Sequence, residues 1–248
     1  MKKKFNYTID CAVILCGGKG SRLGDIGKKK NKSLLLVNNN PIIYYIVKQL
    51  LKEKFKKIIL PLGYKGNDIK KYIRKKFVKD LSKFIFINTG INSEISERIT
   101  KIKKFIHSKG SLLLVNGDTI FDFNLNNFFN SHFKKNKNIS LATFSPKIDL
   151  GLIEIKKNKP IKFKKSIFIY GFLQNKIKYL AYSGLLLLKS KYLKNFSFDS
   201  KTDFEEKMFN KSMKLKNVNF FEVKKGICFP IDNVKNLHYA NNFLKLKN

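Results

Sequence analysis

Short apolar runs rich in Val, Ile, Leu and Phe recur along the chain, at residues 11–16, 57–62, 83–88, 111–115 and 139–144, with amphipathic stretches between them. Runs of this kind predict strands. The intervening segments place apolar residues at helical spacing over 41–54, with Pro41 at the start, over 67–77 behind a polar cap, and over 93–107 and 125–135. These predict helices. Strand and helix in regular alternation imply parallel βαβ units.

Beyond Phe144 the order changes. Strand-like patterns cover 150–155 and 179–188, a helical one 204–213, further strand-like ones 218–222 and 227–231, and a closing helix starts near Val234. The second half is expected to add antiparallel strands to a mixed sheet. No internal repeat and no Pro/Gly/Ser linker interrupts the chain, and the lysine-rich segment 156–165 reads as a hairpin rather than a boundary. The expectation is one α/β domain over 1–248, with three layers and a mostly parallel mixed sheet. In such sheets ligands sit beyond the carboxyl ends of the strands, so residues just after strands carry the chemistry.

Composition narrows the setting. With 248 residues, 43% of them hydrophobic, the chain can bury one sizeable core. No run approaches the roughly 18 apolar residues of a spanning helix, and the six-residue apolar stretch behind Asp10 is too short for a signal segment. A cytoplasmic protein without membrane insertion is expected. Cys11, Cys16 and Cys228 show neither C-x-x-C spacing nor an even count, and read as small buried hydrophobes.

A net charge of +35 raises the alternative of a non-catalytic basic protein on nucleic acid or an anionic surface. Against it, only Arg22, Arg74 and Arg98 among 52 basic residues are arginine, and the lysines spread from Lys2 to Lys247. Specific readers of nucleic acid favour the bidentate guanidinium. The lysines, with the many Asn, Ile and Phe residues, read instead as AT-rich coding bias on solvated faces, so no specific nucleic-acid partner is expected. His107, His132 and His238 lie in no motif, and no Ser/His/Asp or Cys/His arrangement supports covalent catalysis.

Directly after the first predicted strand stands Gly17-Gly18-Lys19-Gly20-Ser21-Arg22-Leu23, followed by a polar loop to Lys32. Glycines there let backbone N–H groups approach a polyphosphate. The third glycine of the dinucleotide fingerprint would fall on Leu23, and no G-x-x-x-x-G-K-[ST] aligns, so both common nucleotide motifs fail. Arg22, in a chain that otherwise uses lysine, suits two phosphate oxygens at once. The bland alternative is a mere turn, with Lys32 one more solvated lysine.

The pattern G-G-x-G-[ST]-R-L, with a lysine ten residues after the arginine, resembles the start of the sugar-1-phosphate nucleotidylyltransferases. Pro41, Gly63-Tyr64-Lys65-Gly66 and Asn116-Gly117-Asp118 continue the likeness in order. The cytidylyl (glucose 1-phosphate) and guanylyl (heptose 1-phosphate) branches are most similar. The resemblance implies a Rossmann-like nucleotide-diphospho-sugar transferase fold, with a nucleotide-binding half over about 10–145 and a sugar-phosphate half over about 146–248. It implies transfer of a nucleoside monophosphate from a nucleoside triphosphate to a sugar 1-phosphate, with Mg²⁺ as cofactor, in the service of surface polysaccharide. It leaves a homo-oligomer open. A glycosyltransferase of related fold is the remaining alternative, although it typically uses D-x-D and lacks the loop, whereas Asp118 and Asp122 stand four apart.

Residue by residue, the resemblance makes Arg22 and Lys32 the catalytic cations on the triphosphate. It puts Cys16, Gly17, Gly18, Gly20, Ser21, Gly63, Arg98 and Gly117 around the nucleotide, Lys165, Ser183 and Gly184 around the sugar phosphate, and the metal on Asp118 and Asp232. Asn31 replaces the usual proline before the lysine and is expected to loosen the loop. Ile95-Ser96-Glu97-Arg98 replaces a glycine-rich stretch that contacts the base, and Arg98 is either a match to the cytidylyl arginine or a helix-surface cation. Lys164-Lys165-Ser166 stands where the family has E-K-P, and Asn233-Val234-Lys235-Asn236 follows Asp232 where it often has G-T-P. Three alternatives stay open: Gly184 as a packing glycine, Asp118 in a solvent-facing Asn-Gly hairpin turn, and Asp232 as a cap for the last helix.

Overall fold

A computed structural model describes residues 9–18, 20, 25–145, 147–156, 159–168, 172–174, 177–198 and 203–245. Its first half runs β1 (Ile9–Leu15), α1 (Asp25–Lys29), β2 (Leu36–Val37), β3 (Asn40–Pro41), α2 (Ile42–Lys52), β4 (Ile58–Leu62), α3 (Gly66–Lys76), β5 (Phe84–Asn88), α4 (Ile95–Ile102), β6 (Ser111–Asn116), β7 (Thr119–Asp122), α5 (Leu125–Lys135) and β8 (Ile139–Phe144). The second half runs β9 (Lys147–Lys156), β10 (Lys159–Phe168), β11 (Phe172–Gln174), β12 (Ile177–Tyr179), β13 (Ala181–Lys189), α6 (Ser190–Asn195), α7 (Phe204–Lys214), β14 (Val218–Glu222), β15 (Ile227–Pro230) and α8 (Val234–Lys245).

Seven strands form one sheet in the order β14-β8-β13-β6-β1-β4-β5. β1 pairs in parallel with β4 and β6, β4 with β5, and β14 with β8, while β13 runs antiparallel between β6 and β8. Alternation along the central strands divides the core in two. Ala12, Ile14, Leu113, Val115, Leu185 and Leu187 face one side, where α2, α3, α5 and α8 pack with Ile43, Ile46, Ile69, Phe128 and Ala240. Cys11, Val13, Leu112, Leu114, Leu186 and Leu188 face the other, against Ile99 of α4, Leu193 of α6 and Met208 of α7. A sheet covered on both faces needs strands that are apolar throughout, and this is why β1, β6 and β13 read as unbroken runs. The three-layer, mostly parallel mixed sheet is the expected architecture.

The differences are local. The segment expected as one helix over 93–107 is helical from Ile95 to Ile102 and tightens to a 3₁₀ turn over Lys103–Phe105. Its start is set by a capping box: Glu94 N–H donates to the Glu97 carboxylate at 3.0 Å, and the Glu94 side chain accepts in return from the backbone of Glu97. In the second half β13 is antiparallel as expected, whereas β14 is parallel to β8. At the head of β8, Asn138 accepts from Lys189 N–H of β13 at 2.9 Å on one side and donates to the Asn217 side chain, just before β14, at 2.8 Å on the other. Lys156 and residues 159–165 lie in the antiparallel β9–β10 pair, in line with the expected hairpin, whose residues 157 and 158 lie outside the described residues.

Of one antiparallel ribbon the sequence showed only the strand-like 227–231 and not its partner or the pairing. β7 leaves the sheet after β6 and pairs with β15, Thr119 opposite Pro230 and Asp122 opposite Ile227. It joins segments more than a hundred residues apart.

Candidate active site

β1 and β6 lie side by side in register, Leu15 opposite Asn116, so the loops that follow them leave the sheet together. Gly117 is obligatory at that junction. A Cβ there would stand 2.6 Å from Ser33 Oγ and 2.8 Å from the Leu15 carbonyl oxygen, while its N–H donates to that oxygen at 3.0 Å. Gly17 and Gly63 meet in the same way: a Cβ on Gly17 would lie 2.9 Å from Gly63 N, and Tyr64 N–H donates to Gly17 O at 3.0 Å. These glycines let three loops close on one another. Gly18 differs. It is exposed and nothing lies within 4 Å of where its Cβ would be. Gly20, at φ +65°, lines the same cavity as Gly18.

Asn31, expected to loosen this loop, ties it instead. The side chain is 1% exposed, donates to Cys16 O at 3.0 Å and Tyr64 O at 2.8 Å, and accepts from Ser33 N–H at 2.9 Å. A carboxamide can satisfy three backbone groups at once where a proline ring satisfies none.

That anchor delivers Lys32 to the centre of the site. Its Nζ donates to Asp118 Oδ2 at 2.5 Å and to Asp232 Oδ1 at 2.9 Å, across 86 and 200 residues. Neither bland alternative for the aspartates holds. The Asn116-Gly117 turn makes no hairpin, since β7 pairs with β15 rather than β6, and Asp118 side-chain exposure is only 22%. The cap of α8 is Asn233, whose Oδ1 accepts from Asn236 N–H at 2.9 Å. The ribbon sets the approach: Ile231 N–H donates to Asp118 O at 2.9 Å, placing Asp232 beside Asp118.

These groups open on a cavity of about 420 Å³ lined also by Cys16, Gly184 and four residues that sequence reasoning missed, Asn116, Tyr182, Asp203 and Glu205. Asp203 caps α7, accepting from Glu206 N–H at 2.9 Å. Glu205, in the first turn of α7, accepts from Asn116 Nδ2 at 3.4 Å. Burial raises its pKa above the ordinary carboxylate value, the Asn116 hydrogen bond opposes the rise, and the charges of Asp203, Asp118 and Asp232 add to it. Burial drives the Tyr182 phenol far upward, with Glu205, Cys228 and Asp118 adding to the rise. In the sequence Glu205 is one acid on a helix and Tyr182 one aromatic in a strand; the neighbouring Ser183-Gly184 was the only pointer.

Of the remaining expected residues, Ser21 and Arg22 lie outside the described residues, and Lys165 is placed only as a backbone position of β10, opposite Gly151. Ser183 is fully buried and does not line the cavity, its Oγ accepting from Leu185 N–H at 3.4 Å. Gly184, at φ +82°, is forced to be glycine because a Cβ would lie 2.6 Å from Thr119 Oγ1. Arg98 is no surface cation. It is 6% exposed and packed behind Gly17, with Nε donating to Ser93 Oγ at 3.1 Å and Nη2 to Ser93 O. Burial lowers its pKa, which the neighbouring Cys16, Glu94 and Glu97 partly restore. Cys16 is pushed up to about 12 by burial, against the pull of Arg98, so its thiol stays protonated and is no nucleophile.

Among the described residues no three His, Cys, Asp or Glu side chains gather into a metal cage. Asp118 and Asp232 offer two hard carboxylate donors at one place, which fits Mg²⁺ completed by phosphate oxygens and water. No described helix is long and apolar enough to cross a membrane.

The nucleotidyl transferase family model matches residues 11–226. The chain is 29% identical over 211 residues to the D-glycero-alpha-D-manno-heptose 1-phosphate guanylyltransferase of Campylobacter jejuni, covering 83% of this chain and 87% of that one. It is 25% identical over 249 residues to the probable glucose-1-phosphate cytidylyltransferase of Bacillus subtilis, covering 93% and 94%. The crystal structure of HddC from Yersinia pseudotuberculosis, complexed with GMP-PN, shares the fold with a TM-score of 0.68 at 20% identity, covering 95% of this chain and all of that one.

Proposed function

This chain belongs to the nucleotidyl transferase family, and we propose that it transfers a nucleoside monophosphate from a nucleoside triphosphate to a sugar 1-phosphate, giving a nucleotide sugar for surface polysaccharide. The observation that carries this reading is Lys32 holding Asp118 and Asp232 together at the mouth of the glycine loop. A phosphate oxygen of the sugar 1-phosphate forms the new bond to the α-phosphorus, the bond to the bridging oxygen breaks, and pyrophosphate leaves with the electron pair. The nucleophile is already an anion. No general base is needed, and catalysis becomes alignment and neutralisation of charge.

Gly18, Gly20, Ser21 and Arg22 hold the triphosphate, with Gly17, Gly63 and Gly117 setting the loop's shape and Arg98 acting from behind it beside Cys16. Asp118 and Asp232 would hold Mg²⁺, which would supply neutralisation of the phosphate charge. Lys32, now on the two carboxylates, would pair with phosphate oxygens of the bound nucleotide. Lys165 and Gly184 place the sugar phosphate, with the fully buried Ser183 fixing the strand next to Gly184. The base is cytosine or guanine, as in the two branches the chain is similar to. A matrix of four nucleoside triphosphates against several sugar 1-phosphates, read as Mg²⁺-dependent pyrophosphate release, tests the reading. Release with at least one pair is expected, and silence from folded protein across the matrix would overturn it.

A further inference from the structure

The cavity holds more polar equipment than phosphoryl transfer uses. Asn116 Oδ1 and the Tyr182 hydroxyl are both buried without a hydrogen-bond partner among the described residues. Buried polar atoms are almost always paired, and each exception points to strain or to a group supplied from elsewhere. Both side chains line the cavity that Asp118 and Asp232 also line. Asn116 is held there by two neighbours: its Nδ2 donates to Glu205 at 3.4 Å, and Gly184 packs against it, leaving room for no Cβ, which would lie 3.1 Å from Asn116 Cβ.

Charge narrows what can enter. Asp118, Asp203, Glu205 and Asp232 line this cavity, and Lys32, already shared by two of them, is the one basic side chain lining it among the described residues. An ionised carboxylate accepts hydrogen bonds and donates none, and Asn116 Oδ1 is likewise an acceptor. The Tyr182 hydroxyl can donate or accept. A ligand presenting several hydroxyls satisfies all three, whereas one bearing its own carboxylate meets like charge at short range.

We infer that Asn116, Tyr182 and Glu205 form the subsite for the ring hydroxyls of a neutral sugar, and that Glu205 is the residue by which this chain selects its sugar 1-phosphate over a uronic acid 1-phosphate. This rests on the transfer reaction proposed above. The phosphate of the same substrate stays with the cations, so Glu205 acts on sugar affinity and leaves the nucleotide alone.

The test compares wild type with Glu205→Gln, Glu205→Asp and Tyr182→Phe, using a sugar 1-phosphate the wild type turns over, its monodeoxy analogues and the matching uronic acid 1-phosphate. Glu205→Gln and Tyr182→Phe should raise KM for the sugar 1-phosphate about tenfold or more, the size of one lost charge-assisted or buried hydrogen bond, with KM for the nucleotide within about twofold. At least one monodeoxy analogue should cost the wild type about tenfold in kcat/KM and cost Glu205→Gln little more, the coupling a direct contact requires. The uronic acid substrate should be poor for wild type and improve in Glu205→Gln. Glu205→Asp keeps the charge and gives a second reading if the buried amide harms folding, which circular dichroism reports. Unchanged KM for the sugar, equal rises for both substrates, or a uronic acid preferred by wild type would each overturn the subsite. A wild type silent with every pair overturns the reaction itself, and is distinguishable because no variant is then needed to see it.

Discussion

Replacing Asp118 or Asp232 by asparagine separates a catalytic carboxylate from a structural one. In the structure Lys32 Nζ sits 2.5 Å from Asp118 and 2.9 Å from Asp232, and the two side chains are 22% and 37% exposed. The Asp232 pair, with its carboxylate more than a third exposed, contributes about 1 kcal/mol or less, and the more enclosed Asp118 pair only somewhat more. An asparagine oxygen can still accept from Lys32, and the other aspartate keeps its charge paired. Each substitution should therefore cost about 1 kcal/mol of stability, or somewhat more for Asp118, and α8 should stay in place because Asn233 caps it. The effect on rate is of another order. Under the proposed reaction, loss of one full charge from a group that would face the phosphates and the metal should cost roughly 3–4 kcal/mol of transition-state stabilisation, a hundredfold or more in turnover. The assay is Mg²⁺-titrated pyrophosphate release beside urea denaturation for both variants. Near-normal turnover with an unchanged Mg²⁺ requirement would remove that aspartate from the metal. A stability loss of about 3 kcal/mol or more would show instead that the Lys32 bridge exists to hold the ribbon down.

Further predictions concern the scaffold and the loop. His132 is buried between Ser111 Oγ at 3.1 Å and Ser140 Oγ at 2.8 Å, and burial with nearby Lys189 lowers its pKa from 6.5 to about 4. Its folded pKa is below the unfolded one, so its contribution is complete above about pH 6.5 and is lost as pH falls toward 4, about 3 kcal/mol in all; urea midpoints between pH 7 and 4.5 that do not fall would refute this. Asn31→Ala should destabilise by about 2–4 kcal/mol, because it strips partners from Cys16 O, Tyr64 O and Ser33 N–H at a site 1% exposed, and denaturant titration measures it. Arg22→Lys should lower turnover about tenfold or more despite the retained charge, since a point ammonium cannot replace the planar fork; unchanged steady-state kinetics would take Arg22 out of the site.

The layered fold was legible along the chain because it depends on local periodicity. Apolar runs such as Leu112 to Val115 must be buried on both faces, and the helical stripes between them, Leu125 to Lys135 among them, must cover a sheet. The glycine loop and Asp118 each stand directly after a predicted strand, where such residues meet ligands, and Lys32 was named through the resemblance by its spacing from Arg22. Asp232 could be named from the resemblance and from its place just after the strand-like run 227–231. Its meeting with Asp118 depends on the β7–β15 ribbon, a pairing between segments with no shared local signature. The same limit explains Asn31, Arg98 and Glu205. Whether an asparagine loosens a loop or ties three backbone groups, whether an arginine is solvated or walled in behind Gly17, and whether a helix acid faces water or a cavity are questions of burial. Burial is set by what packs across from a residue in space, and only the tertiary structure brings α7, β13 and the end of β6 around one cavity.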